Sequence, residues 1–444
     1  MSDSLIQGLR QGKQAIAIIG LGYTGWPLAV ALSDHFEVRG YDSSTARIEL
    51  LNKERAGKQK TSTRKPSNEQ PPKAQDLPSA GLALSCSEEI IRGAACFIIA
   101  VPTPVHKNNA PDLHSLETAL LTVGAVLKKG DLVVIESTVY PGCTEEFCIP
   151  LLEKISKLKV NIDFGVGYSP ERINPGDTIH TLSSVTKLIS ASSTQWLPVI
   201  ECIYSSVIEA GLFVCSTIKV AEAAKMTENI QRDVNIALMN QLSALYEKMQ
   251  IDTSDVWQAA ATKWNFLPFR PGLAGGHCIS VDPYYLLHQA QQFSFSPTLV
   301  AEARRVNESV KSRIVNRVLA HLESVGVSVP HARLLIKGIS FKPNVADVRN
   351  AKIVEVALEL LQMGCQVELS DPIADTAGLQ KEYGLSLIDE EKGLYDIVIV
   401  AACHADYNTL NEDYFCQRTP ALGLIADLSG TFRNTITKRT YWTL

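Results

Sequence analysis

Residues 15–25 of the 444-residue chain read Ala-Ile-Ala-Ile-Ile-Gly-Leu-Gly-Tyr-Thr-Gly. The first five residues are apolar and three of them are β-branched, which predicts a short buried strand. Residues 26–33 predict a helix that tolerates Pro27 in its first turn. The glycines therefore stand in a strand–turn–helix setting, where Gly-x-Gly-x-x-Gly is typical of a turn that binds the phosphates of a dinucleotide.

Each glycine of this turn has an expected task. Gly20 makes the tight turn, Gly22 lets the backbone approach a pyrophosphate, and Gly25 lets the helix pack on the strand. The next predicted strand, 37–41, is followed by Asp42, where a carboxylate can bind a ribose 2′-hydroxyl and favour NAD over NADP. The alternative is a glycine-rich turn without a ligand. The cofactor contacts that we expect here also include Tyr23, Thr24 and Arg47.

Polar turns follow three further predicted strands, at 96–101, 132–136 and 164–167. Thr103 and Thr138 follow the first two, at the strand ends where open parallel sheets bind ligands. Each threonine could equally cap the next helix. Glu171 follows the third strand and could orient a water, or it could be an exposed carboxylate paired with Arg172.

The segment 218–249 contains neither glycine nor proline and predicts one long helix of ~45 Å. Lys225 and Asn229 are four residues apart and therefore share a face of it. Spacing alone favours a solvated lysine.

Residues 275–282 read Gly-Gly-His-Cys-Ile-Ser-Val-Asp and predict a shaped loop, with Pro271-Gly272 before it and Pro283 after it. The paired glycines would leave the sulfur of Cys278 open to a substrate, as a nucleophilic thiol requires. The alternative is a structural cysteine. Arg270, which lies among aromatic residues just before the loop, could hold a phosphate or pack on the surface.

Strands and a helix alternate again in the last third, at 334–339, 351–363, 366–370, 396–401 and 423–427. The turn after the first of these strands carries Lys342 and Arg349, which suit a phosphate-bearing ligand. We therefore predict an α/β fold with two doubly wound Rossmann-like domains, joined by a long central helix and a helical dimerisation region. The expected boundaries are 1–205, 206–325 and 326–444.

Composition narrows the class of protein. The chain is 45% hydrophobic and 20% charged, with a formal net charge of −5, which argues against binding to nucleic acid or acidic membranes. Residues 1–14 have no apolar core typical of a signal peptide, and no apolar run approaches the ~20 residues of a membrane span. We expect a cytoplasmic protein with free thiols and, since no Cys-x-x-Cys pair occurs, no metal site. The polar, proline-rich segment 53–81 predicts a mobile surface loop.

Two motifs carry a resemblance to a known family. Residues 275–286, Gly-Gly-His-Cys-Ile-Ser-Val-Asp-Pro-Tyr-Tyr-Leu, and 169–176, Ser-Pro-Glu-Arg-Ile-Asn-Pro-Gly, resemble the nucleotide-sugar 6-dehydrogenases, which include UDP-glucose and GDP-mannose dehydrogenases. The resemblance extends from Ile16 to about Leu428. Within this range, the segment 53–81 departs from the family in its composition. Val281 stands where UDP-glucose enzymes usually have lysine, which favours the branch that acts on UDP-N-acetylhexosamines.

The resemblance implies a four-electron, NAD-dependent oxidation of UDP-N-acetyl-D-glucosamine at C6, for bacterial surface polysaccharides such as capsule or O-antigen. UDP-N-acetyl-D-galactosamine and UDP-N-acetyl-D-mannosamine are the alternative substrates. Cys278 would attack the aldehyde to give a thiohemiacetal, which a second hydride transfer converts to a thioester that water hydrolyses.

The same resemblance implies roles for individual residues. Lys225 and Asn229 would stabilise oxyanions on C6, and Lys225 would keep Cys278 ionised. Asp282 and Thr138 would hold a water for proton transfer, and Glu171 would assist hydrolysis. The expected substrate contacts are Glu171, Arg172, Lys225, Asn229, Arg270, Gly275, Phe341 and Lys342, and Thr103, Thr138 and Arg349 are expected near the cofactor.

We expect a homodimer, because the long helix needs a partner and two-fold dimers are the commonest assemblies. Two other classes compete with the covalent dehydrogenase. A simple alcohol dehydrogenase would stop after one hydride and would not need Cys278. A catalytically silent binding protein would bind the sugar nucleotide without turnover.

Overall fold

The computed structural model describes residues 2–444 except 62–80, 174–178 and 277–278. The chain divides into two compact units, Met1–Thr227 and Glu228–Leu444, with the boundary inside one long helix. The nine cysteines in the described part of the chain are free thiols.

The first unit is built on an eight-stranded sheet of order β3-β2-β1-β4-β5-β6-β7-β8. Its strands are β1 (Ala15–Ile19), β2 (Glu37–Tyr41), β3 (Leu82–Ser85), β4 (Cys96–Ile99), β5 (Leu132–Ile135), β6 (Gly165–Tyr168), β7 (Lys187–Ala191) and β8 (Leu212–Val214). Neighbouring strands are parallel except for β6 and β7. The strands β1, β4, β5 and β6 are buried along their whole length, so both faces of the sheet are covered.

The first helix of this unit precedes β1, and the helices that follow lie between its strands. The helices are α1 (Ser2–Arg10), α2 (Gly25–Ser33), α3 (Thr45–Thr61), α4 (His114–Gly124), α5 (Ile149–Ser156) and α6 (Leu197–Ser205). The long helix α7 (Ile218–Lys248) then leads into the second unit. Because the strand order reverses between β1 and β4, a ligand is expected at the carboxyl ends of these strands.

The second unit begins with helices and ends with a five-stranded parallel sheet of order β10-β9-β11-β12-β13. The helices are α8 (Thr253–Ala261), α9 (Asp282–Gln292), α10 (Thr298–Ser324), α11 (Lys352–Gln362), α12 (Thr376–Tyr383) and α13 (Glu412–Arg418). The strands are β9 (Arg333–Lys337), β10 (Gln366–Ser370), β11 (Ile397–Val400), β12 (Leu424–Asp427) and β13 (Thr440–Trp442). The central strands β11 and β12 are fully buried.

The predicted α/β class and its two Rossmann-like sheets are confirmed, and the predicted long helix is present as α7. The prediction of a loop from residue 53 onward is wrong for 53–61, which continue α3. The polar composition hid a helix that is anchored by Ile48 and Leu51, which are spaced at i, i+3 and buried. The rest of that predicted loop, 62–80, lies outside the described residues. Among the helices described, none is both long and apolar enough to span a bilayer.

Candidate active site

The glycine turn after β1 has the geometry that a dinucleotide site requires. Gly20 has φ +91° and donates its N–H to the carbonyl of Tyr41 (2.8 Å), and a Cβ there would lie 2.8 Å from the carbonyl oxygen of Ala100. A Cβ on Gly25 would lie 1.9 Å from the carbonyl oxygen of Gly20. A Cβ on Gly22, by contrast, would meet nothing within 4 Å. Gly20 and Gly25 are therefore required by the fold, whereas Gly22 leaves open space for a ligand.

Asp42 lies at the carboxyl end of β2, as the sequence predicts. Its Oδ2 accepts the N–H of Leu21 and its Oδ1 accepts that of Ser44, both at 2.9 Å. Since each carboxylate oxygen can accept two hydrogen bonds, Asp42 retains acceptor capacity for a ribose hydroxyl. Arg47 donates from Nε to the carbonyl of Leu21 (2.9 Å), so it braces the same turn. These residues fit the adenosine end of NAD.

The turns after β4 and β5 are tied together by hydroxyl groups. Thr103 donates from Oγ1 to the carbonyl of Thr138 (2.6 Å), and Ser137 donates from Oγ to the carbonyl of Val101 (2.7 Å). The following helices, α4 and α5, begin well beyond both threonines, so neither residue caps them. Thr103 and Thr138 thus lie side by side at the sheet edge where the cofactor is expected.

Glu171 folds back on its own turn. Its Oε1 accepts the backbone N–H groups of Arg172 (2.6 Å) and Ile173 (2.5 Å). The guanidinium of Arg172 donates to the carbonyl of Thr186 (2.6 Å). The predicted substrate turn is therefore held by its own carboxylate, and its continuation, 174–178, lies outside the described residues.

A buried ion pair beneath this turn was not predicted from the sequence. Lys187 Nζ lies 3.0 Å from Glu136 Oε1 and donates to the carbonyl of Pro170 (3.2 Å), next to Glu171. Tyr204 donates its hydroxyl to the same Glu136 oxygen (2.6 Å). Burial raises the pKa of Glu136, and the charge of Lys187 partly offsets this. The sequence shows only isolated charges at strand ends, which carry no signal of their pairing.

Glu222 on α7 is a second buried carboxylate that sequence reasoning missed. Its Oε2 accepts the N–H of Gly142 (2.6 Å) and its Oε1 accepts that of Thr144 (2.9 Å). Burial raises the pKa of Glu222 to about 7, although these hydrogen bonds lower it in part. Glu222 thereby joins the segment after Thr138 to the helix that carries Lys225, three residues further on. Lys225 itself is only 6% exposed, unlike an ordinary solvated helix lysine.

In the second unit, two of the predicted catalytic residues meet. Asn229 donates from Nδ2 to Asp282 Oδ2 (2.5 Å), and both side chains are buried. Asp282 is the first residue of α9, where the helix dipole favours a carboxylate. The sequence places these residues 53 positions apart, and only the packing of α9 against α7 brings them together.

The loop that carries Cys278 is anchored on both sides of that residue, although His277 and Cys278 themselves lie outside the described residues. Gly276 donates its N–H to the carbonyl of Asn350 (3.1 Å), and Asn350 donates from Nδ2 to the carbonyl of Gly276 (2.8 Å) and to Ser280 Oγ (2.7 Å). A Cβ on Gly275 would lie 2.7 Å from the carbonyl oxygen of Asn350, and one on Gly276 would lie 2.8 Å from the ring of Phe341. Only glycines fit this approach.

A buried polar network anchors the segment that leads into this loop. Gly272 exchanges two hydrogen bonds with the side chain of Asn240, at 2.8 and 3.0 Å. Asn240 also donates to Asn307 (2.8 Å), which donates in turn to Asp233 Oδ1 (2.8 Å). Asp233 pairs with Arg304 at 2.5 Å. Residues of α7 and α10 thus fix the entry to the cysteine loop.

Two of the remaining predicted ligand residues, Lys342 and Arg349, stand next in sequence to Phe341 and Asn350, which approach Gly276. Arg349 makes a two-pronged ion pair with Asp347 at 2.8 to 3.2 Å, within the turn that also carries Lys342. Arg270 is exposed on the chain. Their contacts to substrate or cofactor stay predictions.

Models of one protein family match residues in both units of the chain. The NAD-binding domain model of the UDP-glucose/GDP-mannose dehydrogenase family matches residues 14–208, its central domain model matches 219–309, and its UDP-binding domain model matches 335–434. The chain belongs to this family. It is an NAD-dependent UDP-sugar dehydrogenase.

Individual relatives are similar over nearly their full length. The chain is 44% identical to Protein CapL of Staphylococcus aureus, over 94% of this chain and 95% of that protein. It is 43% identical to the UDP-N-acetyl-D-glucosamine 6-dehydrogenase of Salmonella typhi, over 90% and 92%. Among solved structures, the UDP-N-acetyl-D-mannosamine dehydrogenase of Pyrococcus horikoshii superposes with a TM-score of 0.84 at 27% identity, covering 97% of this chain and 99% of that one.

Proposed function

We propose that this protein oxidises UDP-N-acetyl-D-glucosamine at C6 to UDP-N-acetyl-D-glucosaminuronic acid, for surface polysaccharide biosynthesis. The observation that carries the proposal is the buried contact between Asn229 and Asp282, four residues beyond Cys278. Relatives with 43% and 41% identity are named UDP-N-acetyl-D-glucosamine 6-dehydrogenases, whereas one named UDP-N-acetyl-D-mannosamine dehydrogenase is 31% identical. The first substrate is therefore preferred over its epimers.

The turn at Gly20–Gly25 and Asp42 would hold NAD, which would supply the hydride acceptor for each oxidation, with a second NAD replacing the NADH formed in the first. We assign the proton of the C6 hydroxyl to a water held by Asp282 and Thr138. The Cys278 thiolate then adds to the aldehyde carbon, giving a thiohemiacetal whose oxygen is stabilised by Lys225 and Asn229. Loss of the second hydride leaves a thioester on Cys278.

Hydrolysis completes the proposed cycle. Water attacks the thioester carbon, the bond to sulfur breaks, and Cys278 leaves as the thiolate while the carboxylate product forms. Glu171 assists by orienting the water, and it is suited to this because its own turn is held rigidly. Lys225, buried on α7, supplies the positive charge that favours the thiolate over the thiol.

We also propose that the segments 1–205, 206–325 and 326–444 serve as NAD-binding, central and UDP-binding domains of a homodimer. The second unit exposes large apolar side chains, including Trp264 (92% exposed) and, seven residues apart on α7, Leu238 (47%) and Leu245 (50%). Residues seven positions apart lie on the same face of a helix, so Leu238 and Leu245 support a helix face that a partner covers. Light scattering on the purified protein should give about twice the 48.5 kDa of one chain, and a monomer at micromolar concentration would contradict the dimer.

The substrate proposal is tested by kcat/KM with saturating NAD for UDP-N-acetyl-D-glucosamine, its galacto and manno epimers, and UDP-glucose. We expect UDP-N-acetyl-D-glucosamine to exceed each of the others by at least about tenfold, because a site that hydrogen-bonds a hydroxyl rejects analogues that misplace it. A higher value for either epimer would replace the substrate. Tight binding of the sugars without NADH formation would favour a silent binding protein.

A further inference from the structure

The nucleotide-binding edges of the two units are built alike. Gly338, the first residue after β9, has φ +73° and donates its N–H to the carbonyl of Ser370 (2.9 Å). A Cβ there would lie 2.0 Å from the carbonyl oxygen of Ala402. These are the three relations that define Gly20 in the first unit, so the turn after β9 is the counterpart of the turn after β1.

The correspondence extends to the carboxylate at the end of the second strand. Asp371 follows β10 as Asp42 follows β2. Its Oδ2 accepts the N–H of Ile339 (2.8 Å) and its Oδ1 accepts that of Ile373 (2.9 Å). Asp42 accepts two amides in the same arrangement, at 2.9 Å each. Asp371 therefore occupies the position that contacts a ribose in a dinucleotide site.

In the second unit, however, this carboxylate is already saturated. His404 Nε2 lies 2.9 Å from Asp371 Oδ2, and both side chains are fully buried. The amides of Ser340 (3.3 Å, to Oδ2) and Ala374 (2.9 Å, to Oδ1) add further donors. Burial raises the pKa of Asp371, but the hydrogen bonds from His404 and the backbone outweigh it and lower the pKa overall. The ionised carboxylate thus has no lone pair left for a ribose hydroxyl.

A second substitution closes the space above the turn. Gly22, which leaves an open approach in the first unit, corresponds in position to Ser340, the second residue after Gly338. Ser340 is only 3% exposed, and its Oγ donates to the carbonyl of Lys342 (3.0 Å). The space that admits a pyrophosphate in the first unit therefore holds a side chain here.

The ring of His404 also fixes the far end of the turn. Its Nδ1 accepts the backbone N–H of Asn344 (2.9 Å), and since an amide can only donate, the ring proton must be on Nε2 and be donated to Asp371. Asn344 has φ +61°, and its Oδ1 accepts the N–H of Ala405 (2.8 Å). The imidazole thus connects Asp371 to both ends of the segment 339–344, which carries Phe341 and Lys342.

We propose that His404 is a positioning residue that determines which nucleotide the second unit accepts: by occupying Asp371 it excludes a dinucleotide and fixes the 339–344 turn in the form that binds the diphosphate of the UDP-sugar. The proposal relies on the assignment of the UDP end of the substrate to this unit, and not on which hexosamine is attached.

The test compares binding of UDP and of NADH to the full-length protein by titration calorimetry, for wild type, His404→Ala and His404→Gln. We expect His404→Ala to weaken the binding of UDP by about tenfold or more and the binding of NADH by less than twofold. The substitution disturbs the turn after β9 and leaves the turn after β1 intact. Glutamine retains one donor toward Asp371 and should recover part of the UDP affinity. Tyr407→Phe is the matched control, because Tyr407 packs edge-on against His404 (centroids 5.4 Å apart) and should retain UDP binding.

The proposal would be overturned if UDP affinity stayed within twofold of wild type in His404→Ala, or if UDP and NADH affinities fell together with the Tm, as a merely structural role predicts. If the alanine variant does not accumulate, the ratio of UDP to NADH affinity in His404→Gln decides, with at least a threefold drop expected. A wild-type protein that binds UDP but oxidises none of the tested sugars would refute the substrate proposal alone and leave the His404 comparison valid.

Discussion

Glu222 gives a prediction with a definite sign. Its carboxylate is buried against the amides of Gly142 and Thr144, and its pKa is raised from 4.5 to about 7 by that burial. A carboxylate whose pKa is higher in the folded state binds protons more tightly there than in the unfolded chain. The free energy of unfolding therefore falls as the pH rises from about 4.5 to about 7, and the effect of this group is constant outside that window.

The size of the effect follows from the same shift. At 1.36 kcal/mol per pKa unit, the change from 4.5 to about 7 corresponds to about 3 kcal/mol. Glutamine has the same shape as glutamate but does not titrate. Glu222→Gln therefore removes the pH-dependent contribution of Glu222 to the free energy of unfolding and leaves the contributions of all other titratable groups. The side-chain NH2 group of the glutamine would face a backbone N–H, which is also a donor. This mismatch shifts the free energy of unfolding of the variant by the same amount at every pH.

The assay is thermal unfolding of wild type and Glu222→Gln between pH 4.5 and 7.5. The difference in Tm, wild type minus variant, should fall by roughly 6 to 12 °C across this range, at 2 to 4 °C per kcal/mol for a unit of this size. Glu153→Gln is the control of opposite sign, because the hydrogen bond from the N–H of Val160 lowers the pKa of Glu153, so its difference in Tm should rise with pH. Parallel curves for Glu222→Gln, or a difference that rises with pH, would refute the reasoning.

Three further predictions concern other parts of the site. Lys187→Met leaves Glu136 buried without its counter-charge, so it should cost about 3 to 5 kcal/mol in urea unfolding, and Glu136→Leu in the same chain should restore part of it; a loss below 1 kcal/mol would contradict the pair's importance. Gly22→Ala should keep the wild-type Tm but lose NADH binding by at least about tenfold, whereas Gly20→Ala, at φ +91°, should lower both; equal Tm losses would be inconsistent with the turn geometry. Asn229→Ala should lower kcat by about a hundredfold with little change in KM, measured as NADH release, and a pure KM effect would show that Asn229 only binds substrate.

The sequence was sufficient to predict elements whose structure is determined by residues close together in the chain. Strands such as β1 and β5 are covered on both faces, so they had to be continuous apolar runs, and these are readable without a structure. The turn at Gly20 and the carboxylate at Asp42 are likewise fixed by short spacing within one strand–turn–helix–strand unit. Both were therefore predictable.

The sequence was insufficient where function depends on contacts between distant segments. Glu222 meets Gly142 across 80 residues, and His404 meets Asp371 across 33. A lone glutamate on a helix, or a lone histidine after a strand, has the same local pattern whether it is solvated or buried. The helix at 53–61 was missed for a different reason, because its polar composition outweighed the two buried residues that anchor it.

The most direct test of the proposed mechanism is the amount of NADH formed per UDP-N-acetyl-D-glucosamine consumed, for wild type and Cys278→Ala, with the sugar as the limiting reactant. The mechanism predicts two NADH per sugar for the wild type and no more than one for Cys278→Ala, since the second oxidation needs the thiohemiacetal that this thiol forms. One NADH per sugar from the wild type, together with an active Cys278→Ala variant, would contradict covalent capture and leave a dehydrogenase that stops at the aldehyde.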